Sequence, residues 1–208
     1  MAAVSDNPGT AAGASTEGVE YTDRLRRVGG AGWKRALNVQ APYRWNVRRL
    51  RLGRTLDVGC GLGRNLEHLD GSGVGVDHNA TSVEVARGKG LTALTVEEFF
   101  ASPYATPESF DSMLAAHLVE HLTGEQSREI LASYLPYVRP GGLVVFITPQ
   151  ERGYASDATH VKFMDFAEVG RLAADLGLTV ERGYSFPFPR LFGRLFTYNE
   201  FVVVARKP

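Results

Sequence analysis

Thr55-Leu-Asp-Val-Gly-Cys-Gly-Leu-Gly-Arg64 is the stretch that decides the fold of this 208-residue chain. An apolar strand runs into three glycines at every second position, Gly59, Gly61 and Gly63, with an acid, Asp57, just ahead of them. Without a Cβ, a glycine backbone turns tightly and lies against a neighbour where a side chain would collide. The turn then opens a helix, whose free N–H groups favour a negative group. Eighteen residues after Gly59, a second strand, Val74-Gly-Val-Asp77, ends in another acid.

Strand, glycine turn, helix, strand, acid is a pattern that holds an adenosine-bearing cofactor, with the second acid on the ribose hydroxyls. It is not the nicotinamide fingerprint Gly-x-Gly-x-x-Gly, whose third glycine would fall on Arg64. It is not a phosphate-binding P-loop either, because no Gly-Lys-Ser/Thr follows.

Outward from this stretch the chain alternates. Strands are expected at 55–58, 74–77, 91–95, 110–116 and 142–148, and helices at 63–69, 81–88, 125–138 and 165–176. Ile130, Leu131, Tyr134, Leu135 and Val138 carry the helical spacing of the third helix, which Pro136 kinks or shortens and Pro140-Gly141-Gly142 ends. Asp165 with Glu168 has the form of a capping box, and Gly177 is a stop. Residues 178–206 read as two β runs joined by an aromatic, proline-containing stretch. Such alternation predicts a single α/β domain, a mostly parallel sheet with helices on both faces, without internal repeats. Residues 1–20, rich in Ala, Gly, Ser and Thr, are expected to be a disordered tail. Residues 21–50, with Trp33, Leu37, Tyr43 and Trp45, read as a helical cap broken near Gly29-Gly30 and Pro42.

Composition bounds the partners. Lys plus Arg number 23 and Asp plus Glu number 23, so the formal net charge is zero and nothing points to nucleic acid or an anionic membrane. The longest apolar run, Leu143-Val-Val-Phe-Ile147, is too short to span a bilayer. One cysteine, Cys60, excludes an internal disulfide and fits a reducing cytoplasm. The expected partner is a small-molecule substrate, and a homodimer is compatible with the sequence.

The motif Asp57-x-Gly59-x-Gly61-x-Gly63 resembles the first motif of the class I S-adenosylmethionine-dependent methyltransferases. Further matches come in chain order: Asp77 after the second strand, Phe110-Asp-Ser-Met-Leu-Ala-Ala116 as the fourth strand, His117-Leu-Val-Glu-His-Leu122 after it, and Arg139-Pro-Gly-Gly142 turning into the fifth. The resemblance covers roughly residues 45–205. It implies a Rossmann-like, seven-stranded sheet whose last strand is antiparallel, and S-adenosylmethionine as cofactor. It implies that the backbone at Asp57, Gly59, Cys60, Gly61 and Gly63 approaches the methionine part. It also implies that Asp77, with His78 beside it, holds the ribose, and that Ala116 closes the site. The family often has Asp after the third strand; here Thr95 and Val96 stand there, leaving a backbone contact to adenine at Val96.

Transfer to an alcohol needs a base, or a metal that lowers the hydroxyl's pKa. His117, Glu120 and His121 are spaced i, i+3, i+4 and would share one face of a helix. His160, in Asp157-Ala-Thr-His160, follows the fifth strand and is close enough in this architecture to join them. His121, His160 and Glu120 are the catalytic candidates. His117, Glu120, His121 and His160 together are candidate ligands for a divalent metal. The arrangement resembles the metal site of small-RNA 2′-O-methyltransferases, which present Glu-x-x-Glu-His and a later His; ubiquinone-pathway O-methyltransferases carry a similar segment. The His at 117 favours a nitrogen-rich site over Mg²⁺. A metal-free histidine base and a purely structural role are the alternatives. In function, a small-molecule O-methyltransferase is expected; an RNA methyltransferase and a non-catalytic cofactor-binding regulator are the other readings.

Overall fold

A computed structural model describes residues 39–208. The tail at 1–20 and the first part of the cap, with Trp33 and Leu37, lie outside the described residues.

Helix α1 (Ala41–Arg49) opens the described chain, with Pro42 in its first turn. Proline is tolerated there because the N–H it lacks would have no helical partner. There follow β1 (Thr55–Val58), α2 (Arg64–His68), β2 (Gly73–Asp77), α3 (Ala80–Gly88), β3 (Ala93–Thr95), α4 (Val96–Ala101) and β4 (Phe110–Ala116). Then come α5 (Gly124–Tyr134), β5 (Val138–Pro149), α6 (Glu151–Tyr154), α7 (Phe166–Asp175), β6 (Thr179–Phe186) and β7 (Glu200–Arg206). The seven strands form one sheet in the order β3-β2-β1-β4-β5-β7-β6. Strands β1 to β5 pair in parallel, and β7 runs antiparallel to both β5 and β6. This is the expected α/β, Rossmann-like sheet.

Side-chain alternation along the strands fills two sides. Met113 and Ala115 of β4 join Val144 and Phe146 of β5 under Phe99, Leu131, Val169 and Leu172 from α4, α5 and α7. Leu114 and Ala116 point the other way, with Val145, Ile147, Val202 and Val204, against Val47 of α1. Cys60, Leu66, Val83 and Ala86 make a third cluster beneath α2 and α3. Burial on both faces explains why the strands are continuous apolar runs.

Several boundaries differ from expectation for local reasons. Helix α5 ends at Tyr134, and Pro136 turns the next three residues into a 3₁₀ turn, Leu135–Tyr137. Strand β5 starts at Val138, and its register with β4 shifts between Phe110 and Ser112, where Pro140-Gly141-Gly142 is accommodated. Helices α4 and α6 were not anticipated. The first is short but doubly capped: the Thr95 hydroxyl accepts from Glu98 N, and the Glu98 carboxylate accepts from Thr95 N. At α7 the Asp165 carboxylate caps Ala167 N and Glu168 N as expected, but Glu168 pairs with Lys162 and Arg171 and does not close the box.

Gly75, inside β2, is a packing requirement. A Cβ there would lie 2.6 Å from Cys60 Sγ and 2.8 Å from Leu66 Cδ1. Gly75→Ala is therefore expected to destabilise the fold by about 1–3 kcal/mol, as over-packing of a core does. Urea unfolding checks it; an unchanged midpoint would refute the packing argument.

Candidate active site

Strand β1 delivers Asp57 to the interior, where it is fully buried. Neither of its carboxylate oxygens makes a well-formed hydrogen bond among the described residues, though the Asn65 side chain lies close enough to hold its pKa down in part. Burial raises its pKa to about 7; Arg64 opposes that rise and Asp77 adds to it. The turn that follows hangs from β2, with Gly59 N and Cys60 N donating to the Val76 carbonyl at 2.8 and 3.1 Å. Gly59 and Gly63 are left-handed, with φ of 75° and 78°. A Cβ on Gly59 would come within 2.9 Å of Leu118 Cδ1, and one on Gly63 within 2.4 Å of Leu91 Cδ1. The turn therefore requires glycine on grounds of both conformation and space. Helix α2 beyond it has only five residues, so its dipole adds little.

Asp77 ends β2 and faces this turn. One carboxylate oxygen accepts Gly61 N at 2.8 Å and the other accepts Asn79 N at 2.9 Å. It is not a helix cap. That role belongs to Asn79, whose side chain accepts from Thr81 N and Ser82 N. His78 is exposed, its Nδ1 3.6 Å from Asp77. Cys60 packs inward, and burial holds its thiol well above the usual value, so it is a protonated core group. Thr95 is engaged in capping α4, and Val96 is the first residue of that helix. Ala116 ends β4, buried.

The segment after β4 departs from the expected helix. His117 is left-handed, with φ of 56°, and only Val119–His121 form a 3₁₀ turn, so the three residues do not share a helical face. His117 Nε2 lies 2.9 Å from Glu200 Oε1 and its Nδ1 3.3 Å from Glu120 Oε1. Burial alone would lower its pKa, but the neighbouring carboxylates of Glu120 and Glu200 raise it to about 9. The donor atoms that converge closely enough to share one ion are those of Glu120, His121 and His160, and His117 is not among them.

Glu120, His121 and His160 do converge, with donor atoms all within 4.8 Å of one another. Backbone bonds join the two segments: Glu120 O accepts from Val161 N at 2.7 Å and Lys162 N at 3.1 Å. His160 Nδ1 donates to the Tyr154 carbonyl at 2.7 Å, which leaves its Nε2 as the acceptor atom. His121 Nδ1 lies 3.3 Å from the Thr159 carbonyl, and burial lowers its pKa against the pull of Glu120. Asp157 caps the turn before His160: its Oδ1 accepts from Thr159 N and the Thr159 hydroxyl, and its carbonyl accepts from His160 N at 3.3 Å.

Glu200, which begins β7 and reaches His117 across 83 positions of chain, was missed from the sequence. An acid directly before the apolar run Phe201-Val-Val-Val204 is the one local signal. The aromatic stretch before it is largely exposed. Phe186 is buried, but Phe188, Leu191, Leu195 and Tyr198 are exposed, and Arg190 pairs with Glu151. Trp45 is also exposed.

Residues 56–146 match the family model described as Methyltransferase domain. No curated protein matches the chain. Among solved structures, a SAM-dependent methyltransferase from Archaeoglobus fulgidus is 20% identical at a TM-score of 0.66, over 90% of this chain and 99% of that one. Magnesium protoporphyrin IX methyltransferase from Synechocystis PCC 6803, bound to SAH, is 15% identical at 0.62, over 91% and 95%. A chain of the complex between the Haloferax volcanii Trm112 methyltransferase activator and a methyltransferase is 20% identical at 0.61, over 91% and 96%. At these identities the likeness shows the fold.

Asp57 generates a pH dependence. Its folded pKa of about 7 exceeds the unfolded value of 3.8. The folded state therefore binds more protons between those values, and stability falls as pH rises through that window. Asp57→Asn is expected to abolish this fall and to be more stable than the parent at pH 8. Unfolding curves at pH 5 and pH 8 test it; a variant less stable at pH 8 would contradict the assignment.

Proposed function

We propose that this chain is a class I S-adenosylmethionine-dependent methyltransferase that transfers a methyl group to an oxygen of a small-molecule acceptor. The observation that carries the cofactor site is a fully buried carboxylate without a well-formed hydrogen bond among the described residues, Asp57, beside a turn whose glycines leave no room for side chains. Such a carboxylate is costly unless a donor reaches it. In this reading the backbone of Gly59, Cys60, Gly61 and Gly63 borders the methionine part and Asp57 faces it. Asp77 keeps a second lone pair on each oxygen for the ribose hydroxyls, with His78 beside it. Thr95 and Val96 border the adenine, and Ala116 closes the site. Bound S-adenosylmethionine supplies a methyl group made electrophilic by its sulfonium.

Oxygen as the acceptor atom is supported by the second cluster. A hydroxyl must lose its proton as it attacks. His121, held below its usual pKa by burial, and His160, with Nε2 free to accept, suit that task. Glu120, buried beside them, would steady the imidazolium that forms. The same three groups are suited to a divalent cation in place of a bare base. Two imidazoles and one carboxylate favour Zn²⁺, Mn²⁺ or Fe²⁺ over Mg²⁺. A balanced charge favours a small acceptor over RNA. A single buried thiol is compatible with the cytoplasm. Among the described residues, no helix is long and apolar enough to cross a membrane.

Calorimetry with S-adenosylhomocysteine is expected to show binding that Asp77→Ala weakens about 100-fold, the loss of two charge-assisted hydrogen bonds. A wild-type protein that does not bind it would end this reading. Elemental analysis with activity after chelation separates base from metal. Full turnover by metal-free protein leaves His121 and His160 as the base, whereas activity restored by added Zn²⁺ or Mn²⁺ assigns the cation.

A further inference from the structure

The loop that carries His160 also presents a side chain to His121. Glu120 O ties this loop to the 3₁₀ turn by accepting from Val161 N and Lys162 N. Thr159, two residues earlier, is only 7% exposed. Asp157 Oδ1 accepts twice from it, from its N–H at 2.9 Å and from its hydroxyl at 2.7 Å. The same hydroxyl lies 3.1 Å from His121 Nδ1.

These three contacts fix where the hydrogens sit. A hydroxyl has one hydrogen, and an ionised carboxylate only accepts. The Thr159 hydrogen is therefore spent on Asp157, and toward His121 the hydroxyl can only accept. The Thr159 carbonyl, 3.3 Å from the same Nδ1, also only accepts. Nδ1 must then carry the imidazole hydrogen, which leaves the lone pair on Nε2. The other tautomer would set a nitrogen lone pair against two oxygens that offer it no hydrogen. Capping the turn does not explain this arrangement. The Thr159 N–H alone serves the turn, whereas the hydroxyl reaches a ring 38 positions away. His160 comes to the same state by a simpler route. Its Nδ1 donates to the Tyr154 carbonyl at 2.7 Å, and its ring stacks on Tyr154 with centroids 5.1 Å apart.

We infer that Asp157 and Thr159 are positioning residues, which hold His121 as the Nδ1–H tautomer so that Nε2 is its reactive nitrogen. His121 Nε2 takes the hydroxyl proton as the acceptor oxygen bonds to the methyl carbon, and the electron pair of the broken carbon–sulfur bond stays on sulfur. That chemical use rests on the methyltransferase reading above; the tautomer itself does not.

The test is a long-range proton–nitrogen spectrum of protein carrying nitrogen-15 histidine, recorded at pH 8 so that His121, held below its usual pKa by burial, is neutral. The chain has five histidines, so loss of one set of signals in His121→Gln assigns them. The wild type is expected to show His121 protonated at Nδ1 and bare at Nε2. Thr159→Val keeps the shape and removes the hydroxyl acceptor, and it should shift the tautomer ratio several-fold toward Nε2–H, the effect of one lost hydrogen bond. Thr159→Ser should keep the wild-type pattern. Asp157→Ala frees the hydroxyl hydrogen to turn toward Nδ1 and should shift the ratio in the same direction; this arm stands even where the Val variant fails to fold. A wild type protonated at Nε2, a Ser variant that behaves like Val, or a ratio unmoved in either of the other two variants would overturn the inference. Calorimetry with S-adenosylhomocysteine on the same wild-type sample decides the methyltransferase reading separately, because the tautomer does not depend on the cofactor.

Discussion

One carboxylate joins the two loops on which the site is built. Asp77 accepts a backbone N–H from Gly61 with one oxygen and from Asn79 with the other. It can do so because β1 and β2 pair in parallel, with Val58 opposite Val76, so their carboxyl ends emerge side by side. The sheet order turns at this place, β2 and β3 lying to one side of β1 and β4 to the other. A crevice outside the strand ends is the natural ligand site of such a sheet. The glycine turn lies against Leu118 and Leu91, and only a backbone without side chains leaves space there. Remove the Asp77 bridge and the turn loses its tether to β2 at Gly61, while the loop before α3 loses its own.

Charge is distributed around this crevice in three separate ways. Asp57 is buried without a well-formed hydrogen bond among the described residues and shifts toward neutrality. His117 is buried with two partners and shifts toward permanent charge. His121 is buried with weaker compensation and shifts toward the free base. The same desolvation acts on all three, and the neighbouring charges decide which way each group moves. Glu120 links two of these settings, touching His117 on one side and approaching His121 and His160 on the other. Two histidines four positions apart therefore differ in chemistry: one is an acid held by carboxylates, the other a candidate base or ligand.

The fold was largely legible in the sequence because its signals are local. The glycine spacing, the apolar strands at 55–58 and 110–116, and the caps at Asp165 and Gly177 each depend on neighbours within a few residues. The expectations that failed depended on distant contacts or on backbone exceptions. A helical face through His117, Glu120 and His121 assumes regular φ values, and His117 is left-handed. Helix α4 is short, and its capping box was the only sign of it.

The amino-acid sequence alone determined the glycine turn between two acid-bearing strands, since conformational freedom and periodicity are written residue by residue. It also determined which histidines were available. Only the tertiary structure decided their partners, because antiparallel pairing of β5 with β7 brings Glu200 to His117 from 83 residues away. That pairing, and not spacing along the chain, sets His117 between two glutamates, while His121 and His160 gather at one of them.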